Sequence, residues 1–268
     1  MENNRASFGS NFGFLMAAIG SAVGLGNIWG FPYKMGISGG FAFLLVYLVL
    51  AVFVGLAVMI GELAIGRKTG LSPVAAYRKL SKKFTWMGYM AVLVPFIVLC
   101  FYFVLGGMVT RYALGYLTAI FGWNTWGVAN IADYFGSFIM NGGSMILWTA
   151  IFIAINAFVV AAGVEGGIEK FCKIGMPALF VMLIIVIVYV AVQPGAGGGY
   201  QFMFGWNLEP LKEDFLKVLK TAAGQMFFSL SLGMGAMITY GSYLKKQESI
   251  QKNAVIIVIC DTIVAIMA

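Results

Sequence analysis

Seven apolar stretches separated by polar intervals run along the chain, near residues 11–33, 40–66, 84–119, 143–162, 168–192, 214–243 and 253–268. Runs such as "FAFLLVYLVLAVFVGLAVMIG" and "PALFVMLIIVIVYVAV" predict membrane-spanning helices, because about 20 apolar residues cross the hydrocarbon. The third stretch exceeds that length, so it must tilt or project beyond the bilayer. The intervals "FGWNTWGVANIADYFGSFIMNGG" and "QPGAGGGYQFMFGWNLEPLKED" read as outer loops with short helices or turns. The seventh stretch runs for only 16 residues, which predicts a chain cut inside a membrane helix.

Two stretches break the pattern. "AIGSAVGLGNIWGFP", residues 18–32, carries Gly20, Gly24, Gly26, Gly30, Asn27 and Pro32. Glycine and proline are the poorest helix formers, and an amide in hydrocarbon needs a partner. Gly20 and Gly24 alone could mark close packing of two helices. Five segments later, however, "GQMFFSLSLGMGAMITYGSY" again mixes glycines, serines and a threonine into an apolar run. Interrupted segments at corresponding places in two halves point to an inverted-repeat transporter. Irregular backbone is tolerated at membrane depth only where it lines a cavity or is buried in protein. There, freed N–H groups favour an anion and freed carbonyls a cation.

Composition agrees: 61% of residues are hydrophobic and 10% charged, against about 25% charged in soluble domains. The net charge of +7 does not indicate nucleic acid, because the basic residues are placed for topology. With the N-terminus inside, 12 of the 17 Lys and Arg residues fall on the inner side. Lys34, Lys212, Lys217 and Lys220 fall on the outer side, and Arg111 near an outer helix end, where it can snorkel. The expectation is a multi-pass protein of the cell's inner (plasma) membrane with a cytoplasmic N-terminus. Cys100, Cys172 and Cys260 show no metal spacing or paired framework, and the chain has no histidine. Hydrolase, haem and zinc readings lose their usual residues, and no organic cofactor is expected.

Asp261 lies about 12 Å into the seventh stretch at 1.5 Å per residue, near the bilayer centre. An ionisable group there is a functional candidate, because an unpaired charge costs several kcal/mol. It could pair with a neighbouring helix or stay protonated, but no basic residue lies at comparable depth, so a bound cation is the simpler partner. Sodium suits carboxylate, amide, hydroxyl and carbonyl oxygens. Glu62 reads either as an interfacial carboxylate beside Arg67 or as a brace for a broken helix. Tyr102, in "CFYFVLGG", offers a hydroxyl at a helix centre otherwise suited to packing.

These residues resemble signatures of the neurotransmitter:sodium symporter family, in particular its bacterial amino-acid transporters. "GSAVGLGNIWGFPY" is similar to the first-helix motif, "GELAIGR" to the second-helix end, "FYFVLGGM" to the third-helix motif and "QMFFSLSLGMGAMITYGSY" to the sixth-helix motif. The resemblance implies an all-α integral membrane fold of two inverted five-helix repeats, with broken first and sixth helices. Residues 1–192 would hold the first repeat and about 212–268 the start of the second, in one transmembrane domain with about seven helices present. It implies a first sodium site from the Ala22 carbonyl, Asn27, Ser229 and Asp261, and a second using the Gly20 and Val23 carbonyls. The substrate carboxylate would meet the Leu25 and Gly26 N–H groups and the Tyr102 hydroxyl. The amine would face carbonyls around Phe228, Ser229 and Ser231, with the side chain against Phe228 and Met234. Phe228 over Tyr102 would close the outer side, and Arg5 with Tyr243 the inner side.

Three positions qualify the resemblance. Gly30 stands where the family usually has an arginine, and nearby Lys34 need not replace it. Asp261 stands where many relatives have asparagine, so its charge is expected to serve where chloride serves them. Gly24 stands where monoamine-transporting relatives have aspartate, which favours an amino-acid substrate, hydrophobic or aromatic given Phe228 and Met234. The expected function is sodium-coupled symport by alternating access, with sodium, an amino acid and the lipid bilayer as partners and no nucleic acid. A channel, a receptor or a packing subunit without transport activity remains the alternative, and oligomeric state is not readable.

Overall fold

A computed structural model describes residues 8–123 and 131–268, and among these every regular element is helical. The chain divides into two compact units, Met1–Val92 with Val164–Ala268, and Leu93–Gly163.

In the larger unit, α1 (Asn11–Ala22) starts at Ser10, whose side chain accepts the Gly13 N–H as an N-cap should. After α1 comes a π-helical turn, Gly26–Gly30, and then α2 (Phe31–Ile37), the two halves of the segment bending by 44°. Pro32 sits in the first turn of α2, where its missing N–H costs little. Next, α3 (Phe41–Leu50) and α4 (Leu56–Thr69) join through a π-helical turn into one 29-residue apolar span. Gly70, in the left-handed region at φ 65°, ends it. A short α5 (Pro73–Leu80) precedes α6 (Thr85–Ile120), a 36-residue helix that carries Pro95 and is long enough to outreach a bilayer.

The smaller unit comprises α6 from Leu93, α7 (Ile131–Met140) and α8 (Gly142–Ala161). Arg111 differs here from the snorkelling expectation. It is buried, donates from Nε to the Tyr134 hydroxyl at 2.7 Å, and lays its guanidinium over the Tyr134 and Trp148 rings at 5.0 and 5.7 Å. Aromatic faces and a phenol oxygen take the place of water.

The larger unit resumes with α9 (Lys170–Ala191) and the short α10 (Ala196–Phe204) and α11 (Glu209–Glu213), which occupy the interval read as an outer loop with short helices or turns. There follow α12 (Phe215–Ser229), α13 (Ala236–Gly241) and α14 (Ile250–Met267). α12 packs on α3, α13 on α4, and α14 against α1 and α4. The α4–α13 contact is close because Gly66 faces the Ile238 carbonyl and Gly241 faces Leu63, leaving no room for a Cβ. Around them Tyr47, Phe31, Phe43, Met226 and Ile257 form the buried core.

Among the described residues, five helices are long and apolar enough to cross a membrane, or six if the bent α1–α2 pair counts as one span. The sixth predicted segment instead divides into α12 and α13, of 15 and 6 residues, each too short to cross alone.

Candidate functional site: two helix breaks meeting a buried carboxylate

The first break begins at Val23, whose backbone is extended (φ −77°, ψ 119°). The Gly24 N–H, which would otherwise continue the α-helical ladder, donates to Asn27 Oδ1 at 3.1 Å. The second break follows Ser229. Ser231 (φ 52°) lies in the left-handed region, with Gly233 (φ 76°) and Gly235 (φ 68°) after it. A serine there carries strain that a glycine would not. Its hydroxyl donates to the Ser21 carbonyl at 2.9 Å, satisfying a group near the end of α1.

The breaks are joined at two further places. Asn27 Nδ2 donates to Ser229 Oγ at 3.0 Å, and Gln225 Nε2 to the Gly26 carbonyl at 2.8 Å. Asp261, on α14, completes the cluster. Its carboxylate takes Asn27 Nδ2 at 2.8 Å, the Ser229 hydroxyl at 2.8 Å and the Tyr47 hydroxyl at 3.3 Å. Asn27, Gln225, Ser229 and Asp261 are all essentially inaccessible to solvent. The result is a sealed polar cluster with one formal negative charge, its carboxylate held by uncharged donors. Carboxylate, hydroxyl and amide oxygens suit a hard cation, and a single negative charge matches a monovalent one. Asn27 offers its nitrogen to the carboxylate and its oxygen to the Gly24 N–H, so coordination by that oxygen requires the amide to turn and give up Gly24.

Other expected residues fall as follows. Ala22 and Val23 are buried at the end of α1. Gly20 faces α9, where a Cβ would lie 3.1 Å from Cys172 Sγ. Leu25 and Gly26 open the π-helical turn, and a Cβ on Gly26 would come within 3.0 Å of the Phe228 ring. Met234 is half-buried in the second break. Tyr102 lies on α6 in the smaller unit, its ring edge-on to Phe101 at 6.1 Å. Tyr243 packs edge-on against Phe8 at 6.2 Å, beside Tyr240 stacked on the same ring at 6.0 Å. Arg5 lies outside the described residues.

Of the two readings of Glu62, the structure shows the brace. Oε1 accepts the Gly233 N–H at 2.7 Å, whereas Arg67 donates to the Glu248 carbonyl at 2.6 Å. Three buried polar residues carry no counterpart among the expected ones. Gln225 could have been found by the argument used for Asn27, as an amide in an apolar helix. Tyr47 sits in an unbroken apolar run and gave no signal. Glu169, buried at the start of α9, accepts the Gly9 N–H at 2.8 Å and pairs with Lys173 at 2.6 Å.

The sequence profile of the sodium:neurotransmitter symporter family matches residues 5–137 and 129–268. The chain is similar to YhdH, a sodium-dependent transporter of Bacillus subtilis (35% identity over all of this chain and 58% of that protein). It is also similar to the sodium-dependent transporter MJ1319 of Methanocaldococcus jannaschii (37% identity, 94% of this chain, 52% of that protein). Among solved structures, MhsT in complex with L-phenylalanine superposes with a TM-score of 0.90 at 39% identity, covering 98% of this chain and 59% of that one. The chain thus spans somewhat over half the length of these relatives.

Proposed function

The chain belongs to the sodium:neurotransmitter symporter family, a family of multi-pass membrane transporters, and on that premise we propose that it forms part of a symporter that couples amino-acid uptake to sodium. The observation that carries this reading is the buried Asn27–Ser229–Asp261 cluster where two helix breaks meet. Sodium would bind there, with the Ala22 carbonyl as a further ligand, and a second ion would use the Gly20 and Val23 carbonyls. The substrate carboxylate would lie on the Leu25 and Gly26 N–H groups beside the first ion. Its amine would face the carbonyls of Phe228, Ser229 and Ser231. Phe228 and Met234 would line a pocket for a hydrophobic or aromatic side chain; the phenylalanine bound by MhsT favours that class.

Because carboxylate and ion would touch, each must raise the other's affinity. Asp261 supplies a fixed negative charge in the cluster, so transport would not need chloride. Residues 1–192 and about 212–268 would be the first repeat and the start of the second. On the inner side, Tyr243 with Phe8, and Arg5, would close the path. The test is binding of labelled amino acids to the full-length protein, in sodium and in choline, with and without chloride. Sodium-dependent, chloride-indifferent binding of an apolar amino acid is expected. Equal affinity in sodium and choline would refute the coupling.

A further inference from the structure

Gln225 is fully buried, and its two amide atoms are treated unequally. Nε2 donates to the Gly26 carbonyl at 2.8 Å, which fixes the amide plane, while Oε1 has no hydrogen-bond partner. A buried acceptor without a donor is rare in a native fold and asks for an explanation. Oε1 points toward Gly30. It is the nearest atom to the position a Cβ there would take, at 3.6 Å, with the Leu25 carbonyl next at 3.7 Å. The glycine therefore leaves ordinary van der Waals room in front of an unsatisfied oxygen.

One turn further along α2, Lys34 shares the face of Gly30. Helical side chains lean back over the preceding turn, so the lysine stem leads toward that gap. Its ammonium lies 5.7 Å from the centroid of the Phe228 ring. Phe228 in turn rests on Gly26. Lys34 thus has an aromatic face already in contact and an orphan acceptor one turn away. An ammonium has three donors on a flexible stem and can serve both.

We propose that Lys34 is a positioning residue of the broken-helix site: its ammonium reaches back past Gly30 to Gln225 Oε1 while resting on Phe228, and so ties α2 to the end of α12. Under the function proposed above, the tie holds Phe228 over bound substrate and slows its release. A methionine at 34 would fill similar space without a donor, whereas an arginine would keep both contacts. An arginine at 30 would offer the donor from directly in front of the acceptor.

The experiment uses the full-length protein in detergent, with two readouts. In the first, L-phenylalanine in sodium is the probe. Lys34→Met is expected to release it about tenfold faster, the scale of one charge-assisted contact, while half-saturating sodium stays within about twofold. Lys34→Arg should restore the slow rate, and so should Gly30→Arg in the Lys34→Met background. The second readout needs no substrate: a double-mutant cycle of Lys34→Met and Gln225→Leu in thermal unfolding. The loss of Tm caused by Lys34→Met should largely vanish once Gln225 is leucine. A wild type that binds no phenylalanine counts against the proposed function and leaves the cycle to decide the role of Lys34. Additive losses in the cycle overturn the proposal, as does a Lys34→Met variant that releases phenylalanine as slowly as wild type.

Discussion

Replacing Asp261 with asparagine is expected to move stability in opposite directions with and without sodium. The three side-chain donors to this buried carboxylate, Asn27, Ser229 and Tyr47, are uncharged. Without a cation the carboxylate holds a buried charge with no ionic partner, an arrangement that costs free energy. Asparagine removes that charge while keeping an oxygen in nearly the same place, so sodium-free protein should be as stable as wild type or more so. With sodium the sign reverses. A unit charge about 4 Å away at an effective dielectric of about 20 contributes about 4 kcal/mol. The amide dipole keeps part of this, so about 2–4 kcal/mol is lost, or roughly 30- to 1000-fold in sodium affinity.

That loss is readable in thermal unfolding of the full-length protein over a sodium series balanced with choline. At 100 times the wild-type Kd, sodium contributes about 2.7 kcal/mol of stability; a 100-fold weaker site leaves about 0.4 kcal/mol at the same concentration. A sodium-induced rise of several degrees should shrink to about one. Chloride is expected to leave the wild-type shift unchanged and to recover part of it in Asp261→Asn. A sodium-induced shift of wild-type size in Asp261→Asn would show that this carboxylate is not an ion ligand.

Tyr47→Phe removes one donor to Asp261 through a long 3.3 Å bond, so it should cost only about 1 kcal/mol; sodium titration of the variant should show an affinity loss of no more than about tenfold. Glu62→Ala strips the Gly233 N–H of its 2.7 Å acceptor and should lower stability by about 1–3 kcal/mol, with Glu62→Gln losing less because an acceptor remains; unfolding in detergent distinguishes the two. Gly26→Ala pushes a methyl to 3.0 Å from the Phe228 ring, whereas Gly30→Ala finds only contacts at 3.6 Å and beyond. The first should weaken substrate binding in an equilibrium assay; the second should raise Tm in the Lys34→Met background, where no ammonium needs that space, since glycine within a helix costs about 0.5–1 kcal/mol relative to alanine.

Much of the fold was legible because bilayer physics writes it into single positions. A span needs a run of apolar residues, so the segment order was readable without knowing any partner. Asn27 and Asp261 stood out because each is polar in a stretch where polarity is expensive. Other features escaped because their meaning depends on what faces them. Tyr47 is an ordinary core aromatic until Asp261 lies beside its hydroxyl. Arg111 looked free to reach water, and only the packing of Tyr134 and Trp148 over its guanidinium makes burial tolerable. The division of the sixth predicted segment was foreseeable from its glycines, but the φ of 52° at Ser231 was not.

The glycines of the first break show why composition stops short of mechanism. Gly20 lets α1 approach Cys172 and Met176 of α9, which is the packing role that its spacing from Gly24 suggested. Gly26 makes room for the Phe228 ring and lends its carbonyl to Gln225. Gly30 does neither: it sits before an acceptor that nothing satisfies and has room for a side chain. One residue type within eleven positions thus serves close packing, ring accommodation and an open space. Only the first two are explained by what glycine lacks; the third is explained by what a neighbour, Lys34, can bring.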